Sequence, residues 1–347
     1  MNYGRCGMGS VGRAARLVIV GRVLLTLMVG ISATWGALAL WYQAPGAHAV
    51  HGLILATWIL LSTSMLAALW RGRTILGIVG FTAAFAVLIF WWQQLQPSND
   101  RIWADDVARM MTGTVDGQQI TLHNVRNFDW RSDIDYTQRW ETRHFDLDRL
   151  ESVDMIMSYW SGPSIAHMLV SFGFGDAGQV AFSVEIRPEK GEAFSEIGGF
   201  FDEFELSIVA ADERDVIRVR TNVRGEDDYL YRINMPKSAM RALFVAYIEE
   251  ANQLALTPRF YNTITANCTT LVYHMMKQII GYLPWDFRLL LTGYLPQYVY
   301  GIGGLEPHHS FEELRSRGRI TARAKSADRS ERFSLDIRRG VPGISLP

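Results

Sequence analysis

No aspartate or glutamate occurs before Asp100, and the first 99 residues carry only six charges, all arginine: Arg5, Arg13, Arg16, Arg22, Arg71 and Arg73. An acid-free stretch of that length excludes a soluble amino-terminal domain and points to membrane. The other 28 basic residues stand against all 35 acids from position 100 onward, a net of −7. An acidic soluble part lacks the phosphate-neutralising surface on which nucleic-acid affinity rests, so no nucleic acid is expected as a partner. Cysteine is also scarce, with Cys6 and Cys268 alone, and neither a metal nor a cofactor is expected. Low-complexity disorder is excluded by the 49% hydrophobic content, which is ample for a core.

Three apolar runs are present at 23–42, 52–70 and 74–92, broken by the Pro-Gly segment around Pro45 and by Arg71 and Arg73. Each has the roughly 20 residues that a helix needs to cross about 30 Å of hydrocarbon. The arginines flank the first run and separate the second from the third, while the 43–51 loop has none. By the positive-inside rule the amino terminus is cytoplasmic and everything after Trp92 is outside, in the periplasm of a bacterium with its anchor in the inner membrane. The expected organisation is a cytoplasmic segment 1–22, three transmembrane helices over 23–92, an extracytoplasmic domain 93–314 and a basic extension 315–347. That extension holds nine Lys and Arg against three acids, so it reads as a solvated tail partly folded back on an acidic surface, or as a contact for anionic lipid. Cys6 and Cys268 fall on opposite sides of the membrane and cannot pair. Cys6 is incidental, and Cys268 is a lone thiol in an exported domain.

Beyond a short helix around 102–111, period-two alternation predicts strands at 118–125, 153–160, 167–173, 180–187, 205–210, 216–223 and 229–234. After Pro236 the period becomes helical, with Met240, Leu243, Phe244, Tyr247, Ile248, Ala251 and Leu254 on one stripe. A second amphipathic helix is expected from near Asn267 to Gly281. Strands followed by helices make an α+β domain.

At the start of that second helix Cys268 would meet unpaired backbone N–H groups and the positive end of the dipole, which lower a thiol pKa and can receive an oxyanion. Its bland alternative is a small buried hydrophobe sharing a stripe with Leu271 and Val272. His274 is about 240° round the same helix and cannot reach back. His308 and His309 lie in a loop and stay possible. His167 opens a strand whose apolar face is Met168, Val170 and Phe172; the next strand offers Phe182, Val184 and Ile186. Folding these faces together about Asp176 sets 167 opposite 185, 169 opposite 183 and 171 opposite 181. Glu185 then neighbours His167 and can orient its ring, giving a nucleophile, base and orienter in Cys268, His167 and Glu185. The alternatives are a core histidine for His167 and, for Glu185, an edge-strand charge paired with Arg187.

The segments Asn124 to Asp129, Ser164 to Phe174, Ser183 to Arg187, Asp212 to Asp215, Tyr261-Asn262 and Asn267-Cys268-Thr269-Thr270 resemble the exported domain of the Lnb-type lipoprotein transacylases. In that family a membrane-anchored extracytoplasmic domain moves an acyl chain within a bacterial lipoprotein. The resemblance implies His167 and Cys268 as the catalytic pair, a lipid or lipoprotein as acyl donor and acceptor, and the membrane as partner. The order of histidine strand before cysteine helix is also similar to permuted papain-like acyltransferases of the lecithin:retinol type, where an Asn-Cys pair starts the helix. That similarity implies a papain-like (permuted) thiol fold and a share for Asn267 in binding the oxyanion. Three functions stay open: a thiol acyltransferase, a Cys-His peptidase or amidase of the cell envelope, and an interaction module with residues 205–234 as a binding sheet.

Overall fold

The computed structural model describes residues 8–46 and 48–345; Cys6 lies outside them. Two compact units emerge, one running to Gln96 and taking in Phe201–Glu203, the other comprising Pro97–Phe200 and the residues from Phe204 onward.

The first unit is built on α1 (Met8–Gln43), α2 (His48–Trp70) and α3 (Thr74–Trp92). Their spans Arg16–Gln43, Ala49–Trp70 and Thr74–Trp92 are long and apolar enough to cross a membrane. Val29, Trp58, Leu69, Phe81 and Leu88 are buried between the helices, while Leu53, Leu60, Ile75 and Val87 face outward, as expected of helices that are apolar all round. Close approach is set by small residues: a Cβ on Gly77 would stand 2.8 Å from the Met65 carbonyl oxygen. The Trp58 indole N–H donates to Ala33 O at 2.9 Å, satisfying in apolar surroundings the one polar atom of its ring.

The second unit is a mixed α+β domain. Its strands are β1 (Thr112–Asp116), β2 (Gln119–Arg126), β3 (Asp129–Trp130), β4 (Tyr136–Thr137), β5 (Trp140–Asp146), β6 (Ser152–Tyr159), β7 (His167–Gly173), β8 (Gln179–Arg187), β9 (Glu205–Ala211) and β10 (Asp227–Arg232). Eight form one sheet in the order β1-β2-β9-β8-β7-β6-β10, with β5 pairing β2, and β3 and β4 make a separate ribbon. Neighbours are antiparallel except for the single parallel bridge between β2 and β9. The hairpin β7–β8 has the register expected from its alternation, with Leu169 opposite Ser183 and Ser171 opposite Ala181.

Both faces of the central strands are covered. On one, Met155, Phe172 and Phe182 pack against Phe244 and Tyr247 of α5 (Lys237–Leu256) and Leu271 and Met275 of α6 (Thr270–Ile280). On the other, Ile156, Leu169, Ala181 and Val209 meet Val216 and Ile217, then Ile320, Ala324, Phe333 and Ile337 from the carboxyl-terminal residues.

Three expectations are corrected here. The stretch 216–223 is helical: α4 (Glu213–Arg218) passes directly into a wide-turn π segment, Val219–Arg224, ending at Gly225 with φ +74°. Its start carries ordinary helix signals, with the Asp212 carboxylate accepting from Arg214 N and acids in the first turn. Residues 205–234 therefore do not form a continuous binding sheet. The residues around 102–111 contain only the 3-10 turn Asp105–Val107. The basic stretch from Arg315 is not a solvated tail, because it completes α8 (Phe311–Gly318) after the short α7 (Leu295–Gly301) and adds α9 (Thr321–Ser326) and α10 (Phe333–Arg338). Arg338 is 1% exposed, and its guanidinium lies 2.9 Å from Asp154 and 2.6 Å from Glu213, both fully buried. Two segments quoted for the resemblance meet in a second buried clasp, where Asp215 accepts from Arg126 Nε, Phe128 N and Trp130 Nε1 at 2.7–2.9 Å.

Candidate active site

Cys268 is a free thiol, 6% exposed, in the turn just before α6. The regular helix begins at Thr270 rather than at Asn267, although Leu271 N already donates to Asn267 O at 3.1 Å. Asn267 shapes the turn: its Oδ1 accepts from Thr269 N and Thr270 N, both at 2.8 Å, and its Nδ2 donates to Thr263 O at 2.6 Å. Its amide is thereby committed to capping.

The β7–β8 ladder stops at Leu169 and Ser183, so His167 and Glu185 lie two residues past its last pair, where β7 and β8 no longer bond each other. The turn bearing Cys268 enters there. Glu185 Oε1 is 3.2 Å from His167 Nε2 and 3.0 Å from Arg220 Nη2. Ser183 Oγ lies 2.6 Å from His167 Nε2 and donates to Glu185 Oε1 at 2.6 Å. A hydroxyl has one proton. With that proton on Glu185, Ser183 must accept from the imidazole, which makes Nε2–H the donor and leaves Nδ1 as the nitrogen for the thiol.

Burial opposes charge on all three groups, and in each case the neighbours outweigh it. Burial pushes His167 down, but the Glu185 carboxylate outweighs it and the imidazole rises to about 9. Burial pushes the Cys268 thiol up, and the hydrogen bond and charge of His167, aided by Met168 N–H and the Thr269 hydroxyl, bring it below its ordinary value. Glu185 is likewise driven up by burial, but its imidazolium and guanidinium neighbours hold it far below the usual carboxylate range. A thiol lowered in this way beside an imidazolium and a carboxylate favours nucleophilic attack through sulfur.

Arg187, the other partner weighed for Glu185, turns instead to Val107 O, Ala108 O and Asn99 Oδ1 at 2.9–3.0 Å. His308 and His309 have no part in the cluster; His309 pairs with Glu313 at 2.9 Å. Sequence reasoning missed Arg220, which arrives on the π segment and connects Glu185 to Glu226, itself bonded to Ser158. No local signal marks it, because its role depends on the helix lying across the back of the sheet. Among the described residues, no group of three or more His, Cys, Asp or Glu could hold a metal ion.

The thiol opens into a cleft of ≈ 600 Å³. Trp160, Phe194, Phe200, Leu290 and Leu291 line it, and each is more than a third exposed. Thr292 fixes one wall to the residue preceding His167, accepting from Ala166 N at 3.0 Å and donating to Ala166 O at 2.6 Å.

Residues 136–293 match the family described as the Lnb N-terminal periplasmic domain, a span that contains His167, Glu185, Asn267 and Cys268. No curated protein and no solved structure matches the chain. Through that span the chain is similar to the Lnb N-terminal periplasmic domain, and with three apolar helices ahead of it this supports a membrane-anchored protein with a periplasmic domain.

Proposed function

We propose that this protein is a membrane-anchored thiol acyltransferase, with a permuted papain-like order of strand histidine and later cysteine. The observation that carries the reading is the buried row Cys268, His167, Glu185 at the head of a cleft with an exposed apolar rim. The Cys268 thiolate attacks the carbonyl carbon of a lipid or diacylglyceryl ester, forming a carbon–sulfur bond. The tetrahedral oxyanion is assigned to the Cys268 backbone N–H at the head of α6. As the carbon–oxygen bond breaks, the leaving alkoxide takes its proton from the His167 imidazolium. The neutral imidazole then accepts a proton from an amine or alcohol acceptor, which attacks the thioester and releases the thiolate. Glu185 holds the ring, Ser183 and Arg220 hold Glu185, and Asn267 positions the turn.

A lipoprotein α-amino group is the acceptor we favour, since the resemblance of residues 136–293 to the Lnb-type domain implies lipoprotein chemistry. The same pair would also serve a peptidase or amidase with water as acceptor; the apolar rim, with Trp160, Phe194 and Phe200 exposed, favours a lipid over a peptidoglycan fragment. Lipid-form analysis of lipoproteins by mass spectrometry, in cells carrying Cys268→Ala beside wild type, tests the reading. We expect the variant to lack one acylated lipoprotein form. Identical lipoprotein profiles combined with a loss of cleaved peptidoglycan fragments would establish the hydrolase in its place.

A further inference from the structure

A second cavity of ≈ 270 Å³ lies on the α5–α6 side of the sheet, outside the cleft that holds the thiol. Its walls are aliphatic, methionine and tyrosine side chains from β6, β7, α5, α6 and the 283–304 segment, and no Asp, Glu, Lys, Arg or His lines it. Two residues connect it to the nucleophile. Thr269 lines the cavity and its hydroxyl is 3.9 Å from Cys268 Sγ. Met168 lines it as well, and its backbone N–H helps to hold the thiol below its ordinary value. The apolar space thus begins where an acyl carbonyl on Cys268 would stand, and leads away from His167.

We infer that this cavity seats the alkyl chain of an acyl group carried on Cys268, the inference resting on the thiol-transfer reading above. Met155, Met168, Met235 and Met276 suit the walls to chains of varying length, since unbranched thioethers repack at low cost. Each methylene moved from water into such a space is favourable by about 0.8 kcal/mol. The first cleft, which holds Glu185, Arg220 and Glu226, is left for the alkoxide and the acceptor, so chain and acceptor approach the sulfur from different sides. Such a division shields the thioester from water for as long as the chain is seated.

The test attaches a chain to the sulfur without relying on turnover. The full chain in lipid nanodiscs is treated with a decyl methanethiosulfonate bearing a terminal diazirine: the thiolate forms a mixed disulfide, the reagent's own sulfur–sulfur bond breaks, and methanesulfinate leaves. After irradiation, cross-linked peptides are mapped by mass spectrometry. We expect cross-links in 233–243 and 272–283, lowered at least tenfold in Ala239→Phe, which fills the cavity. Met276→Trp serves as a second filling variant, and an unchanged rate with methyl methanethiosulfonate shows that either variant keeps its thiol environment. Cross-links confined to Trp160, Phe194 and Phe200, or to nanodisc lipid, would overturn the chain site. An ester donor that leaves no adduct on Cys268, beside cross-links in the cavity, would instead overturn the transfer reading and keep the chain site.

Discussion

Cys268 and His167 stabilise one another's charges, and this has consequences for pH. The thiol lies below its ordinary value and the imidazole rises to about 9, so an imidazolium faces the sulfur up to about that pH. Iodoacetamide should therefore label Cys268 at pH 6, where an unassisted thiol is almost wholly protonated. In His167→Ala that rate should fall about tenfold or more, read by the mass of the labelled peptide, because the thiolate fraction collapses. Glu185→Gln removes the charge that raises His167 and leaves Arg220 facing the ring. We expect turnover to fall on the order of 10²-fold, with the labelling profile shifted toward higher pH; a loss of turnover with an unshifted profile would give Glu185 a merely structural place. Stability follows the same groups. His167 is raised in the fold, so its contribution is full below about 6.5, the unfolded value, and disappears as pH climbs through the folded one. Glu185 is depressed, so its contribution is present above about 4.3 and disappears as pH falls toward its folded value. Thermal unfolding across pH should show the site most stabilising between these two ordinary values and weakening into the alkaline range.

At the scale of elements, the cleft depends on how tightly the 290–293 turn meets the residues before β7. Gly293 N donates to Ser164 O at 3.0 Å, and a Cβ there would stand 2.2 Å from Pro163 O, a backbone atom that cannot swing away. Gly293→Ala should cost about 1–3 kcal/mol by overpacking and lower turnover further than stability, because the Thr292 contact that fixes Ala166 moves with it. On the far face, Arg338→Ala leaves the Glu213 carboxylate unpaired in the core, and we expect a loss of about 3–5 kcal/mol in denaturant unfolding. What was legible beforehand follows from the same features. The β7–β8 register could be read because both strands alternate cleanly, with Met168, Val170 and Phe172 against Phe182 and Val184. Cys268 was legible as a lone thiol followed by a helical stripe. Arg220 was not, because Ile217, Val219, Thr221 and Val223 alternate with Arg218, Arg220 and Asn222 and imitate a strand until the Asp215 clasp with Arg126 and Trp130 imposes a helix. The place of Arg338 was equally hidden: a charge run looks solvated, and only the buried Asp154 and Glu213, over a hundred residues earlier in the chain, draw it inside.

For the whole molecule, membrane anchorage and thiol chemistry belong to one account, because a lipid ester is delivered at a bilayer. We propose from the arginine distribution that the amino terminus is cytoplasmic and the sheet domain outside, so protease added to intact spheroplasts should remove the region after residue 96 and spare an amino-terminal tag. The most direct measurement is the intact mass of the purified full chain after a single turnover with a diacyl lipid donor and no acceptor. The account predicts a mass gain of one acyl chain, located on the peptide containing Cys268, released by hydroxylamine and absent from Cys268→Ser. Donor consumed with no acyl group on Cys268, or an unchanged yield of product from Cys268→Ser, would contradict it.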